Sequence, residues 1–300
     1  MDMVRSSNRW GVWFDAIRPK TLPAAIAPVI VGSSLAWHDG SFDGIAALFC
    51  LFFSLLIQIG TNLANDYYDY VKGADTAERV GPTRAVAAGL IKPQTMRFAM
   101  WLVLGTGFAL GLSLVAWGGA WLIVIGVLSV LCAIAYTGGP YPLGYNGLGD
   151  VFVFIFFGLV AVDATYYVQT GGLTSLAMIA AIPIGLLTTN ILVVNNYRDF
   201  ATDGAAGKRT TVVRFGLRYA RCQFSGALVG SFLTPVILVV AGASPWWLLP
   251  CLLLPMGWRQ RRRLADSKSP SELIQLLGDT GKLLALYALL FSLGMIISRT

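Results

Sequence analysis

Two short segments hold most of the residues able to do chemistry. The first reads Asn62-Leu-Ala-Asn65-Asp66-Tyr-Tyr-Asp69-Tyr-Val-Lys72-Gly-Ala-Asp75, and the second Asn195-Asn196-Tyr-Arg198-Asp199-Phe-Ala-Thr-Asp203, with Lys208 and Arg209 soon after. Residues three and four apart stack on a helix, so Asn62, Asp66 and Asp69 are expected on one face, and Asn196, Asp199 and Asp203 on another. Carboxylates this close repel one another unless a cation joins them. Mg²⁺ suits them, because it prefers oxygen ligands and typically takes one or two protein carboxylates, leaving positions for water and phosphate oxygens. Lys72, Arg84, Lys208 and Arg209 are placed to meet the remaining phosphate charge. Surface ion pairing would explain one such cluster. Two matched clusters about 130 residues apart, each with an Asn four residues before its first Asp, point instead to a divided site.

Apolar helices must position these clusters. The chain has 300 residues, 56% hydrophobic and 12% charged, against about 25% charged in an ordinary soluble domain. No charged residue occurs between Arg97 and Asp150, or between Arg221 and Arg259. Measured against a crossing of about 20 residues, the apolar runs are nine: 21–37, 44–65, 94–115, 119–137, 149–168, 174–196, 219–241, 245–259 and 280–298. The expected fold is all-α, a polytopic membrane protein with nine transmembrane helices forming one domain over residues 1–300. Met1 to Lys20 is polar and carries Arg5, Arg9, Arg18 and Lys20, unlike a cleaved signal.

With the connections numbered alternately, 21 of the 22 Lys and Arg fall on one side and only Arg299 opposite. The positive-inside rule then places the N-terminus and both Asp clusters in the cytoplasm and the C-terminus outside. The positive charge faces anionic lipid headgroups and cytosolic anions, so no nucleic acid is needed to explain it. Cys50, Cys132, Cys222 and Cys251 show no CxxC spacing and read as packing residues or free thiols.

Tyr67, Tyr68, Tyr70, Tyr136, Tyr141 and Tyr145 fit an ordinary interfacial belt. His38, the only histidine, falls on the opposite side, so the Asp-bearing rim has no histidine base. Asp163 lies within the fifth apolar run, where a carboxylate is either functional or neutral and hydrogen-bonded toward the external edge.

At these residues the chain resembles the UbiA-type superfamily of intramembrane prenyltransferases, in particular its 1,4-dihydroxy-2-naphthoate branch. The resemblance runs through Arg18-Pro-Lys-Thr-Leu22, Gln58 to Asp75, Gly81-Pro-Thr-Arg84, Gly147-Leu-Gly-Asp150, Tyr166-Tyr167-Val-Gln169, and Asn195 through Lys208-Arg209-Thr. It implies nine helices around a central cavity capped by cytoplasmic Asp-rich loops. Asp66 and Asp69 correspond to the first Mg²⁺ and diphosphate motif, Asp199 and Asp203 to the second, with Asn62, Asn65, Asn195 and Asn196 in support. Lys208 and Arg209 resemble the basic residues that hold diphosphate. Asp75 follows Asp69 by six residues where the 4-hydroxybenzoate branch has four, so metal contact is not assigned to it. The connection from Gly138 to Gly149 lacks Lys and Arg, unlike that branch.

The implied substrates are a polyprenyl diphosphate and 1,4-dihydroxy-2-naphthoate, and the implied location is the bacterial cytoplasmic membrane. The diphosphate leaves as its charge is neutralised, aromatic faces such as Tyr136 shield the allylic cation, and the acceptor ring attacks. Attack at the carboxylated carbon with loss of CO₂ needs no base there. Phytyl transfer and prenylation of another aromatic acid are the neighbouring alternatives. A cation-dependent permease predicts carboxylates along a pathway through the bilayer, and a CDP-alcohol phosphotransferase predicts one compact aspartate-glycine motif; the sequence has neither pattern.

Overall fold

A computed structural model describes residues 9–75 and 80–299. Arg5, counted above as part of the basic amino-terminal arm, lies outside the described residues, as do residues 76–79 of the connection after the first cluster. Among the described residues every regular element is helical. They are α1 (Arg9–Ile17), α2 (Pro23–His38), α3 (Gly44–Val71), α4 (Pro93–Ser113), α5 (Val115–Gly118), α6 (Leu122–Ala135), α7 (Gly149–Val153), α8 (Ala161–Thr170), α9 (Ser175–Arg198), α10 (Phe200–Ala205), α11 (Thr211–Val240), α12 (Leu254–Asp266) and α13 (Pro270–Ile297). A π-helical stretch, Phe154–Val160, joins α7 to α8, and a 3₁₀ stretch, Pro245–Leu253, leads into α12.

The long helices begin where polar side chains satisfy their first amides. Asp43 accepts from the amides of Ile45 and Ala46 at the start of α3, Thr174 from Ala177 at α9, and Thr210 from Val213 at α11. Ser269 caps α13, with Pro270 at its first position. After α3 the chain turns at Gly73, whose φ of 67° is left-handed and costs glycine nothing. Gly216, at φ 85° inside α11, breaks that helix near its start.

Among the described residues six helical segments are long and apolar enough to cross a bilayer: α3, Pro93–Gly118, Gly149–Thr170, α9, α11 and α13. A seventh follows if Arg9–Thr21 and α2, which meet at 50°, count as one. All nine apolar runs fall on helical segments, but two of them differ from full-length crossings. The run at 119–137 yields only the 14 residues of α6. The run at 245–259 holds Pro245, Pro250 and Pro255, and it winds as 3₁₀ helix before the polar α12. Proline cannot donate to an α-helical ladder, which is why this run does not form one straight helix.

The largest core gathers residues of α2, α8, α9, α11 and α13. A second lies among α1, α3, α4 and α6. Bare backbone lets helices meet closely at Gly158, where a Cβ would stand 2.7 Å from the Cα of Gly185 on α9. The hydroxyl of Thr211 donates to the buried carboxylate of Asp150, tying the starts of α11 and α7 together beneath the Asp-bearing rim.

Candidate active site

The end of α3, the junction of α9 with α10, and the loops at 80–91 and 138–148 meet over a cavity rich in polar side chains. Asn62, Asn65, Asp69, Arg84, Tyr136, Asn195, Asn196, Asp199, Asp203 and Lys208 line it together. The two clusters therefore share one space, as their common side of the bundle implied.

Asp69 is buried and accepts from three directions. Tyr145 donates its hydroxyl to Oδ1 at 2.7 Å, Arg84 donates Nη2 to Oδ2 at 2.9 Å, and the Lys208 ammonium lies 3.3 Å from Oδ1. Lys208 also stands 3.6 Å from Asp203 Oδ1, so a single ammonium links the two clusters. It lies 4.8 Å over the ring of Tyr145 as well. Burial holds the Tyr145 hydroxyl well above its usual pKa, with the Asp69 charge adding to the effect, so the phenol stays neutral and donates. Burial likewise raises Asp203 to about 6, a shift that Lys208 opposes and that Asp199 and Asp69 reinforce.

Asp66 is placed differently from the expectation. It faces the 80–91 loop, where the amides of Ala85 and Val86 each donate to one of its oxygens at 3.1 Å. Asp199 accepts from Arg198 through both oxygens, at 2.7 and 2.6 Å, in a bidentate pair. The expected shared face of Asn196, Asp199 and Asp203 is interrupted, because α9 ends at Arg198 and Asp199 takes φ −92°, ψ 9° between helices. The turn still delivers Asn196, Asp199 and Asp203 to the cavity.

Three other expected residues sit at the margin. Lys72 donates to the Gly139 carbonyl at 3.1 Å and lies 5.1 Å over the Tyr145 ring, and burial lowers its pKa. Asp75 stands 3.5 Å from Arg84 Nε, behind Asp69. Arg209 is exposed, and its amide donates to the Tyr145 carbonyl while that of Lys208 donates to the Asp203 carbonyl. Asn62 donates to the Ile17 carbonyl and to Thr21, and Asn65 accepts from Thr137.

Sequence reasoning missed Tyr145, Arg198, Arg18 and Gln58. Arg18 and Gln58 line the cavity. Arg18 is the one described non-glycine residue at positive φ, 56°, a conformation that costs an L-residue energy and turns the chain into the 3₁₀ turn Pro19–Thr21. Arg198 stood inside the second cluster, and its place beside Asp199 was the signal available.

The carboxylates suit a divalent cation shared with a phosphate ligand. Asp69 and Asp203 are reached by one ammonium, so a cation between them would meet a carboxylate from each cluster. Among the described residues no three His, Cys, Asp or Glu side chains enclose an ion by themselves. Mg²⁺ typically takes one or two protein carboxylates and completes its shell with water and substrate oxygens.

A second cavity, almost wholly apolar, runs along Phe152, Phe156, Val160 and Val168. Thr61, Tyr136, Val153 and Phe157 line both spaces. The polar rim and the apolar recess thus adjoin at the Tyr136 phenol.

The chain is 38% identical to the 1,4-dihydroxy-2-naphthoate octaprenyltransferase of Escherichia coli (strain K12), over 97% of both chains. It is 32% identical to the enzyme of the same name from Bacillus subtilis (strain 168), over 94% of this chain and 91% of that one. The UbiA prenyltransferase domain-containing protein 1 of Mus musculus is 34% identical over 94% of this chain and 83% of its own length. Among solved structures, a UbiA homolog from Archaeoglobus fulgidus bound to DMAPP and Mg²⁺ superposes with a TM-score of 0.67 at 14% identity, covering 93% of this chain and 99% of that one. Residues 25–296 match the UbiA prenyltransferase family, and with helices, cavity and paired Asp clusters in agreement, the chain belongs to that family.

Proposed function

We propose that this protein transfers a polyprenyl chain from its diphosphate to 1,4-dihydroxy-2-naphthoate in a Mg²⁺-dependent reaction that releases diphosphate and CO₂ and yields demethylmenaquinone. One observation carries the reading: a rim of carboxylates and cations adjoins an apolar recess, the two sharing a wall of four residues, which suits a ligand with a diphosphate head and a hydrocarbon tail. The relatives named for octaprenyl transfer to this acid support the choice of acceptor.

Asp69, Asp199 and Asp203 are the residues that would hold Mg²⁺, which when bound neutralises charge on the departing diphosphate. Lys208 and Arg84 line the same space and meet the remaining negative charge. The allylic C–O bond breaks with its electrons leaving on the diphosphate. Tyr136, at the junction of the two cavities, presents an aromatic face to the allylic cation. The apolar walls keep water from capturing it. The acceptor then forms its bond at the carboxylated carbon, and loss of CO₂ returns the electron pair to the ring, so no base is required at that carbon.

The nine apolar runs are the nine crossings in this proposal, within a single domain in the bacterial inner membrane. The N-terminus and the Asp-bearing rim face the cytoplasm and the C-terminus lies outside. The basic asymmetry of the connections supports that orientation. The hydrocarbon tail outruns any closed pocket and passes sideways into lipid.

The deciding experiment incubates purified protein in nanodiscs with Mg²⁺, a panel of polyprenyl and phytyl diphosphates, and 1,4-dihydroxy-2-naphthoate or 4-hydroxybenzoate, and weighs the products. The expected product has lost its carboxylate and forms from the naphthoate with little counterpart from the benzoate. Equal rates on both acids, or a product that keeps its carboxylate, would overturn the reading. A phytylated product in preference to a polyprenylated one would move it to phylloquinone-type transfer.

A further inference from the structure

We infer that Gln58 recognises the aromatic acceptor, its side-chain oxygen taking a hydrogen bond from the ring hydroxyl farther from the carboxylate. The inference rests on the proposed acceptor, 1,4-dihydroxy-2-naphthoate.

Gln58 is 7% exposed and lines the polar cavity one helical turn before Asn62. Its amide orientation is set by Thr21. The Thr21 hydroxyl donates to the Arg18 carbonyl at 2.9 Å, which leaves its oxygen only lone pairs to offer. Asn62 and Gln58 both donate to that oxygen, each at 3.1 Å. Gln58 must therefore present its nitrogen to Thr21. Its Oε1 is left buried with no donor among the described residues.

The surrounding wall has the same bias. Thr61 gives its hydroxyl proton to the Ile57 carbonyl and Thr188 gives its own to the Ile184 carbonyl, each at 2.7 Å. Both line the cavity and offer it lone pairs alone. A buried acceptor without a donor is costly, so this wall favours a ligand that brings a hydrogen to it. Neither an ionised diphosphate nor a hydrocarbon tail has one. A phenol does.

Of the two hydroxyls on the proposed acceptor, the one beside the carboxylate satisfies itself by an internal hydrogen bond. The other is free to donate. Gln58 precedes Asp69 by eleven residues on α3, about 16 Å along the helix axis. A hydroxyl held there turns the carboxylated edge of the ring toward the rim where diphosphate departs.

The test is equilibrium binding to the full-length protein in detergent, under anaerobic conditions. 1,4-dihydroxy-2-naphthoate is compared with 1-hydroxy-2-naphthoate, which lacks the second hydroxyl, on wild type and on Gln58→Met and Gln58→Glu, with thermal melting as a check on folding. Wild type is expected to prefer the dihydroxy acid by about tenfold, the scale of one buried hydrogen bond. Gln58→Met should reduce that preference to about twofold or less without changing the KM for prenyl diphosphate, and Gln58→Glu, which keeps an acceptor, should retain it. An undiminished preference in Gln58→Met, or none in wild type, overturns the inference. If Gln58→Met does not fold, Thr21→Val, which frees the amide to rotate, carries the decision: a weakened preference supports Gln58 and an unchanged one rejects it. Wild type that makes no prenylated naphthoquinol from the dihydroxy acid would refute the acceptor itself, whereas normal product with an unaltered preference would refute Gln58 alone.

Discussion

The two Asp clusters look alike on paper and are built differently, yet both set one carboxylate against nearby chain and the other against the opposite cluster. The first rides on one continuous helix, α3, and the second straddles the break between α9 and α10. In each, the leading carboxylate is held by nearby chain: Asp66 by the amides of Ala85 and Val86, Asp199 by the guanidinium of Arg198. In each, the trailing carboxylate, Asp69 or Asp203, faces the other cluster across Lys208. In this proposal the trailing carboxylate of each pair does most of the charge-stabilising work, while the leading one, Asp199 among the Mg²⁺ holders included, is fixed in place by nearby chain. Burial of Asp66 and Asp199 is tolerable because both oxygens of each are hydrogen-bonded.

The comparison breaks most visibly at the trailing residues. Asp69→Ala and Asp203→Ala are each expected to lower turnover by roughly 10²–10³-fold or more, the scale of losing a preorganised charge in a site, while the protein still folds. Rates with labelled prenyl diphosphate alongside melting curves check this, and near-normal turnover in either variant would end the proposed division. Asp66→Ala should stop turnover by another route, since two amides lose their acceptor at a cost of about 1–3 kcal/mol each. Hydrogen exchange at Ala85 and Val86 should then accelerate, and unchanged protection there would mean that Asp66 does not hold the loop.

Lys208 is the point where the clusters meet. Lys208→Ala should raise the KM for prenyl diphosphate about tenfold, a loss of one charge-assisted contact, with acceptor affinity little changed. Asp203 gives a pH test. Its folded pKa, raised to about 6 from 3.8, means the folded chain keeps a proton across that interval after the unfolded chain has lost its own. Stability from this group therefore falls as pH rises through the window. Mg²⁺ must displace that proton, so its affinity should drop by up to about tenfold per unit below pH 6 and level off above. Calorimetry in buffers of different ionisation enthalpy reads the released proton directly. The smallest effect is expected at Arg209→Lys, within about threefold on donor KM, because this exposed side chain has the retained charge as its main contribution. A larger loss would return Arg209 to the diphosphate site that its position in the sequence suggested.

What could be read beforehand followed local rules. Helical spacing identified the paired acids, and the one-sided basic residues put both clusters on one rim. The role of Asp66 was hidden because its partners are backbone amides 19 and 20 residues onward, in a loop whose path no side-chain pattern specifies. Tyr145 was grouped with interfacial tyrosines, since nothing in the residues themselves distinguishes a rim phenol from one that reaches Asp69. Arg209 was paired with Lys208 because adjacency in a loop carries no information about direction. The 245–259 run shows a similar limit: hydropathy counts residues, but its prolines decide how they wind.

The π-helical stretch has a consequence for inheritance. Residues 152, 153, 156, 157, 160, 161, 164, 165 and 168 wall the apolar recess, a repeat of four. An α-helix of 3.6 residues per turn advances such a repeat by about 40° each time, and over this length the wall would wind away from the cavity. The wider turn at Phe154–Val160 takes up that slip, so side chains on both sides of it face one space. Loss of a single codon here would leave a well-formed, still apolar helix whose second half looked elsewhere. For this stretch the reading frame of the helix, more than the identity of its residues, is what a descendant gene must keep.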